Sequence, residues 1–325
     1  MVFDAEPADP LEPTIAGVAQ GSASTHPTGP RLSVIVVNHH RPDLLAEALR
    51  AIYASERRPD EIVVVETDAT TPPPLPADVH DPPLPLRLLV LADNPGYAAA
   101  CNRGAAKATG DWLLFMNADV IVSPECLGAV LAEAASDPAI GIATGRLVRP
   151  DGTLDHACHR GIPSVIDSLV YKARLDRLAP RARRLGHYRL SWLDPLGTHD
   201  VEACTGAFLL IRREAFEAVA SWDERYWFYA EDLDLCLRVT RAGWRVRYVG
   251  SASAVHVKGS SSNLRRAARD LTDEQRATRQ KVRLAVIDSH RRFYHEHLAA
   301  DTARPLRPLV EAMFAAQRLL ATRLR

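Results

Sequence analysis

Asp111-Trp112-Leu113-Leu114-Phe115-Met116-Asn117-Ala118-Asp119 is the stretch on which the reading of this chain turns. Trp112 to Met116 is an apolar run of strand length, broken abruptly by Asn117-Ala118-Asp119. A run apolar on both faces predicts a central strand of a parallel sheet. In open α/β sheets the ligand crevice lies beyond the carboxyl ends of the strands, so Asp119 is expected at the mouth of a site. A carboxylate there can hold a divalent cation, and the cation a diphosphate. The alternative is a solvated turn aspartate.

Upstream of this stretch the chain alternates strand and helix signals. Residues 1 to about 30, rich in Pro, Ala, Asp, Ser and Thr, read as a disordered leader. Leu32 to Val37 is a strand ending in Asn38-His39-His40. Pro42 opens a helix, where its missing N–H costs nothing, and Leu45, Ala48, Leu49, Ile52 and Tyr53 follow at helical spacing. Glu61 to Glu66 is a second strand, again ending in a carboxylate. No GxGxxG follows the first strand, which argues against a dinucleotide cofactor. After a proline-rich excursion from Thr70 to Pro85, Leu86 to Leu91 is a third strand. Asn94-Pro95-Gly96-Tyr97 is a turn, and Ala98 to Ala108 an alanine-rich helix carrying Asn102, Arg103 and Gly104.

Downstream, Pro124 to Ala135 reads as a helix, Ile140 to Val148 as a strand and Pro150-Asp151-Gly152 as a turn. From Asp155 to about Thr198 the pattern weakens, as in an insertion near the site. Val201 to Arg212 reads as a strand and Arg213 to Ala220 as a helix. Ser221 to Tyr229 is an aromatic loop, of whose aromatic residues at least half should be core. Glu231-Asp232 opens a helix running to about Ala242; Val246 to Val249 is a strand, with His256 a few residues beyond. Carboxylates are favoured in a helix's first turn whatever their role. Aromatic neighbours would also shield such a carboxylate from water and push it toward useful base strength.

The composition narrows the function. Lys+Arg and Asp+Glu balance at 40 each, so no global field draws the chain to nucleic acid. The five cysteines are scattered with no CxxC pair, against a disulfide framework or zinc site and in favour of a reducing compartment. The N-terminus is acidic where a signal peptide would be basic, and no run reaches transmembrane length. The expectation is a cytoplasmic protein, soluble or peripheral on the inner face of the membrane. In the tail, Leu306, Leu309, Val310, Met313, Phe314 and Leu320 form one helical stripe. It would pack on its own domain, on a second subunit in a homodimer, or as an interfacial helix on a membrane.

Together these blocks resemble a family 2 glycosyltransferase with the GT-A fold, of the rhamnosyltransferase and galactofuranosyltransferase type. The resemblance rests on the first strand with Asn38, on Asn94 to Gly104, on Asn117-Ala118-Asp119 and on Thr205-Gly206-Ala207-Phe208. It extends to Trp222-Asp223-Glu224, Tyr229 to Arg238, and His256-Val257-Lys258-Gly259-Ser260-Ser261. The fold it implies is a Rossmann-like mixed α/β sheet flanked by helices, over residues 31–262. That domain would divide into a nucleotide-sugar half, 31–120, and an acceptor and catalytic half, 121–262; a helical extension, 263–325, follows.

The activity implied is inverting transfer from a nucleotide-diphosphate sugar, rhamnose being the first guess, to a glycan or lipid-linked glycan in cell-surface polysaccharide synthesis. By position in the family's motifs, Asp119 and His256 would hold Mg²⁺ or Mn²⁺ and Asp232 would be the base. Asn38, Glu66, Asn94, Gly96, Asn102, Asn117 and Ala118 would bind the donor, and Thr205, Gly206, Trp227 and Glu231 the acceptor. Three positions depart from the family pattern: Asn117 replaces the first Asp of DxD, Glu66 replaces an Asp, and His39-His40 replace an aromatic-Asn pair. Without the QxxRW motif and membrane helices of processive synthases, addition of one or a few sugars is expected. Two rivals are a catalytically idle sugar-nucleotide-binding scaffold and a nucleotidylyltransferase. The latter would need a Gly-rich basic loop after the first strand, and Asn38 to Pro42 offers none.

Overall fold

The computed structural model describes residues 29–76, 84–175, 182–257 and 272–323. Nearly all of the leader, part of the proline-rich excursion, the Lys258 to Ser261 block and the 262/263 boundary lie outside the described residues.

The elements in chain order are β1 (Leu32–Asn38), α1 (Pro42–Tyr53), β2 (Glu61–Thr67), β3 (Leu86–Leu91), α2 (Tyr97–Ala105), β4 (Trp112–Asn117), β5 (Val120–Val122), α3 (Cys126–Ala135) and β6 (Ile140–Val148). There follow α4 (Val165–Lys172), α5 (Arg183–Gly186), β7 (Thr198–Val201), β8 (Phe208–Arg212), α6 (Arg213–Ala218), α7 (Glu231–Arg241), β9 (Arg245–His256), α8 (Asp273–Phe293) and α9 (Arg307–Arg323). The strands form one mixed sheet in the order β3-β2-β1-β4-β8-β6-β9-β5, with β7 on β9.

β4 lies in the middle, buried from Trp112 to Met116 as its apolar run requires. It pairs parallel with β1 but antiparallel with β8, so the sheet is mixed, as the resemblance implies, and not the parallel sheet that the apolar run alone suggests. An apolar run reports burial of both faces and is blind to a neighbour's direction. The strands β3-β2-β1-β4 form a parallel set. α1 buries Leu45, Ala48, Leu49 and Ile52, the positions that the spacing marks.

Two strand expectations are revised. Val201 to Arg212 is two strands, β7 and β8, because residues 202–207 leave the sheet. Thr205 Oγ1 accepts from Ala207 N at 3.3 Å, and Arg160 and Ala203 exchange two backbone hydrogen bonds instead. β9 is far longer than Val246 to Val249 and carries His256 as its last residue. The weakly patterned 155–198 stretch contains the short helices α4 and α5. α4 is entered through a capping box in which Ser164 and Asp167 satisfy each other's backbone N–H.

In the aromatic loop Trp222 and Tyr226 are buried, Trp227 and Phe228 are half-buried, and Tyr229 is exposed. Fewer than half are thus fully core. The tail stripe divides: Val310 and Phe314 of α9 bury against Tyr294, while Leu306, Leu309 and Leu320 stay exposed. Among the described residues no helix is long and apolar enough to cross a membrane.

Candidate active site

A cavity of about 740 Å³ opens at the carboxyl ends of β1 and β4. Its lining includes Asn38, Asn117, Ala118, Asp119, Thr205, Gly206, Glu231, Asp232 and His256. These are nine of the residues singled out in the sequence, from five separate segments. The sheet register explains the first meeting. Asp119 precedes β5, Val120 sits opposite His256 on β9, and Val257 N donates to Asp119 O at 2.9 Å. Asp119 Oδ1 and His256 Nε2 are consequently 3.4 Å apart, both buried.

The other imidazole nitrogen, Nδ1, lies 2.9 Å from Oδ2 of Asp155, a carboxylate only 1% exposed. Burial alone would lower the His256 pKa, but the flanking carboxylates of Asp119 and Asp155 outweigh it and raise the pKa above the ordinary value. One carboxylate oxygen beside one imidazole nitrogen is a donor pair suited to Mg²⁺ or Mn²⁺. Ligands at about 2.1 Å on adjacent octahedral positions sit about 3 Å apart, close to the observed spacing. The residues therefore fit such a cation.

In the lining of the same cavity, Asp232 stands in the first turn of α7. Its Oδ2 accepts from Arg160 Nη2 at 2.7 Å and from Gly206 N at 3.2 Å, and its Oδ1 accepts from Leu233 N at 2.8 Å. Arg160 is itself buried, and despite that burial Asp232 helps keep the guanidinium firmly charged. Glu231, buried in the cavity wall, has its pKa pushed well above the carboxylate range, by burial first and by neighbouring Asp232 second. Its Oε2 makes no hydrogen bond within the protein, which leaves it an available partner for a ligand hydroxyl. The turn into α7 uses two successive left-handed residues, Tyr229 (φ 69°) and Ala230 (φ 66°). Strain of this kind in non-glycine residues gathers at functional sites.

Five sequence-predicted residues have different neighbours. Glu66 lies behind the cavity wall, where it accepts from Asn38 Nδ2 at 2.5 Å and from His40 N at 3.0 Å. It thereby braces the β1 tip, while His39 joins the lining. Asn94, Gly96, Asn102 and Trp227 form a clamp rather than a wall. Trp227 Nε1 donates to Asn94 O at 3.1 Å, Tyr97 N donates to Trp227 O at 3.0 Å, and Gly96 lies against the Trp227 backbone. Asn102 receives Trp222 N at 3.1 Å and donates to Trp222 O at 2.9 Å. The block from Asn94 to Gly104 thus holds the aromatic loop, and the loop leads directly into Glu231-Asp232. Tyr97 extends the clamp, donating from its hydroxyl to Gly206 O at 2.6 Å.

Sequence reasoning missed Asp155 and Arg160. Both lie at the start of the stretch without period. Their only sequence signal is a polar run, Asp155-His156-Ala157-Cys158-His159-Arg160, following a turn close to the site.

Comparison with solved structures defines the fold class. The chain is similar to the mannosyltransferase PcManGT from Pyrobaculum calidifontis in complex with GDP-Man and Mn²⁺ (TM-score 0.51, 18% identity, 90% of this chain and 73% of that one). It is also similar to GalNAc-T7 with UDP, GalNAc and Mn²⁺ (TM-score 0.50, 16% identity, 70% of this chain and 44% of that one). The shared fold is GT-A. The sequence profile described as Glycosyl transferase family 2 matches residues 33–219, and the chain belongs to that family; it is a glycosyltransferase.

Among curated relatives, the N-acetylglucosaminyl-diphospho-decaprenol L-rhamnosyltransferase of Mycobacterium tuberculosis is 33% identical over 243 residues, 71% of this chain and 77% of the relative. The O-antigen biosynthesis protein RfbC of Myxococcus xanthus is 31% identical over 245 residues, 71% of this chain and 18% of that relative.

Proposed function

We propose that the chain is an inverting, metal-dependent glycosyltransferase. It would move a deoxyhexose such as rhamnose from a nucleotide-diphosphate donor to a hydroxyl of a lipid-linked glycan, in the synthesis of a cell-surface polysaccharide. The observation that carries this reading is the convergence of Asp119, His256 and Asp232 on one cavity. The name of the mycobacterial relative supports the sugar and the acceptor class, and that of the myxococcal relative the polysaccharide. The Mn²⁺ in the two structural neighbours supports a divalent ion.

In this reading Asp119 and His256 hold Mg²⁺ or Mn²⁺, which when bound neutralises charge on the departing nucleoside diphosphate. Asn38, Asn117 and Ala118 bind the donor at the carboxyl ends of β1 and β4. Thr205, Gly206 and Glu231 line the acceptor side, where a protonated Glu231 donates a hydrogen bond that an ionised carboxylate could not. Asp232 takes the proton of the acceptor hydroxyl as that oxygen attacks the anomeric carbon from the face opposite the leaving diphosphate. Geometry is most of the gain in such a displacement. The bonds from Arg160, Gly206 and Leu233 keep the Asp232 carboxylate from turning away.

The division into a nucleotide half (31–120), an acceptor half (121–262) and a helical extension (263–325) is part of the same reading. Exposed Leu309, Leu319 and Leu320 of α9, with Leu306 just before it, support a peripheral membrane contact through α9. A second copy of the chain on that face is the competing occupant.

A panel of nucleotide sugars with Mg²⁺ or Mn²⁺ tests the assignment, read as nucleoside diphosphate release with and without EDTA. Release only with metal, and only with an acceptor bearing a lipid diphosphate, is expected. Release unaffected by EDTA would remove the metal from the account. Truncation after Pro305 should shift a membrane-bound pool to the soluble fraction, and unchanged partitioning would exclude α9 as the anchor.

A further inference from the structure

We propose that the short segment Asp155 to Arg160 is the positioning element of the active site, Asp155 aligning His256 for the cation and Arg160 aligning Asp232 for proton transfer. The inference rests on the roles given above to Asp119, His256 and Asp232. It adds one idea: the two reacting edges of the cavity are held in register by one piece of chain.

The segment is braced at both ends. Asp155 N donates to Leu147 O at 2.9 Å, and Leu147 N donates to Cys158 Sγ at 3.4 Å, tying the segment to β6. Asp155 Oδ1 accepts from Ala157 N at 3.3 Å and caps the single turn from His156 to Cys158. At the far end Arg160 N donates to Ala203 O at 3.2 Å and Ala203 N returns a bond to Arg160 O at 3.0 Å, tying the segment to the loop before β8. Asp155 and Arg160 are both lining residues of the cavity.

Each acts through another residue. Asp155 binds Nδ1 of His256 and so turns Nε2 toward Asp119. A ligating histidine whose second nitrogen is held by a carboxylate keeps its tautomer and orientation, and loss of such a partner weakens metal affinity by about 10–100-fold. Arg160 donates to Asp232 at 2.7 Å, to Cys204 O at 3.3 Å and to Tyr188 Oη at 3.4 Å. Burying such an ion pair is costly and adds little stability over an apolar replacement. Orientation of the carboxylate is the role that accounts for keeping it.

The test uses the full chain and Mn²⁺ with a nucleoside diphosphate, followed by electron paramagnetic resonance, with His256→Ala as reference. Asp155→Ala should weaken Mn²⁺ binding by about 10–100-fold, with Asp155→Asn between it and wild type. Asp155→Asn keeps volume and an acceptor oxygen, so it carries the test if the alanine variant does not fold. Arg160→Ala should leave Mn²⁺ affinity and donor KM unchanged while kcat drops by about 100-fold, and Arg160→Lys should restore part of it. Wild-type Mn²⁺ affinity in both Asp155 variants, with weakened binding in His256→Ala, would overturn the role of Asp155 alone. Wild-type affinity in His256→Ala would overturn the metal assignment and this inference with it. A kcat within threefold of wild type in Arg160→Ala, or a matching rise in donor KM, would overturn the role of Arg160.

Discussion

Gly96→Ala should damage catalysis from outside the cavity. Gly96 adopts φ 97° and ψ 166°, a region that is essentially glycine's own and costs other residues about 1–3 kcal/mol. A Cβ at this position would lie 2.5 Å from Trp227 O, 2.8 Å from Trp227 Cδ1 and 2.9 Å from Trp227 Cα. Two of those three atoms are backbone, so the contact cannot be relieved by a rotamer change, and overpacking of this kind costs a further 1–3 kcal/mol or so. The combined loss is about 2–6 kcal/mol. It falls on the hinge between α2 and the aromatic loop, where Tyr97 N holds Trp227 O. Four residues later that loop delivers Glu231 and Asp232.

The assay is urea unfolding together with steady-state kinetics. Gly152→Ala is the control: its φ is also positive, at 78°, but an added Cβ meets nothing within 4 Å. Gly152→Ala should lose only about 1 kcal/mol, with unchanged kcat. Gly96→Ala should lose at least twice as much, with kcat reduced by tenfold or more, about the effect of a small displacement of the base. Equal stability losses in the two variants, or a Gly96→Ala enzyme with normal kcat, would refute the clamp.

Other outcomes follow from the same geometry. Asp232→Asn should lower kcat by about 10²–10⁴-fold while donor binding, followed by calorimetry, stays within a few-fold of wild type; retained turnover would place the base elsewhere. Glu231 has a raised pKa in the folded chain, so the folded state binds more protons than the unfolded state between the ordinary carboxylate value and the raised one. Stability from this group therefore falls as pH rises through that window. Glu231→Gln should flatten the decline seen in urea titrations from pH 5 to pH 8, and an unchanged slope would contradict the raised value. His297→Ala removes the 2.7 Å contact of Nε2 with buried Asp234 on α7, and should lower stability by about 1–3 kcal/mol. A melt unchanged from wild type would show that the C-terminal segment does not brace α7.

Much of this architecture was legible because it is written in periodicity and strand ends. The apolar runs of β1, β2 and β4 mark buried strands, and Asn38, Asp119 and Asp232 end or begin elements at positions where an α/β sheet opens its crevice. The direction of β8 against β4 was not legible, since burial on both faces looks alike in parallel and antiparallel pairs. Nor was the break before β8, where Thr205 turns the chain with its own hydroxyl. Asp155 and Arg160 were hidden for another reason. Their importance lies in partners about 70–100 residues away, His256 and Asp232, and an ion pair leaves no period in the sequence. Asn102 and Gly96 matched a family block and were assigned to the donor. The structure gives them the aromatic loop as neighbour, a distinction that spacing cannot draw.

A cation seated between Asp119 and His256, in the cavity that Asp232 also lines, is the centre of the proposed chemistry. A crystal soaked with Mn²⁺ and a nucleoside diphosphate measures this directly. The expected result is an anomalous peak about 2.0–2.3 Å from an Asp119 carboxylate oxygen and from His256 Nε2, with diphosphate oxygens completing the shell. A peak instead at the group of His39, His40 and Asp68, with none at Asp119, would contradict it.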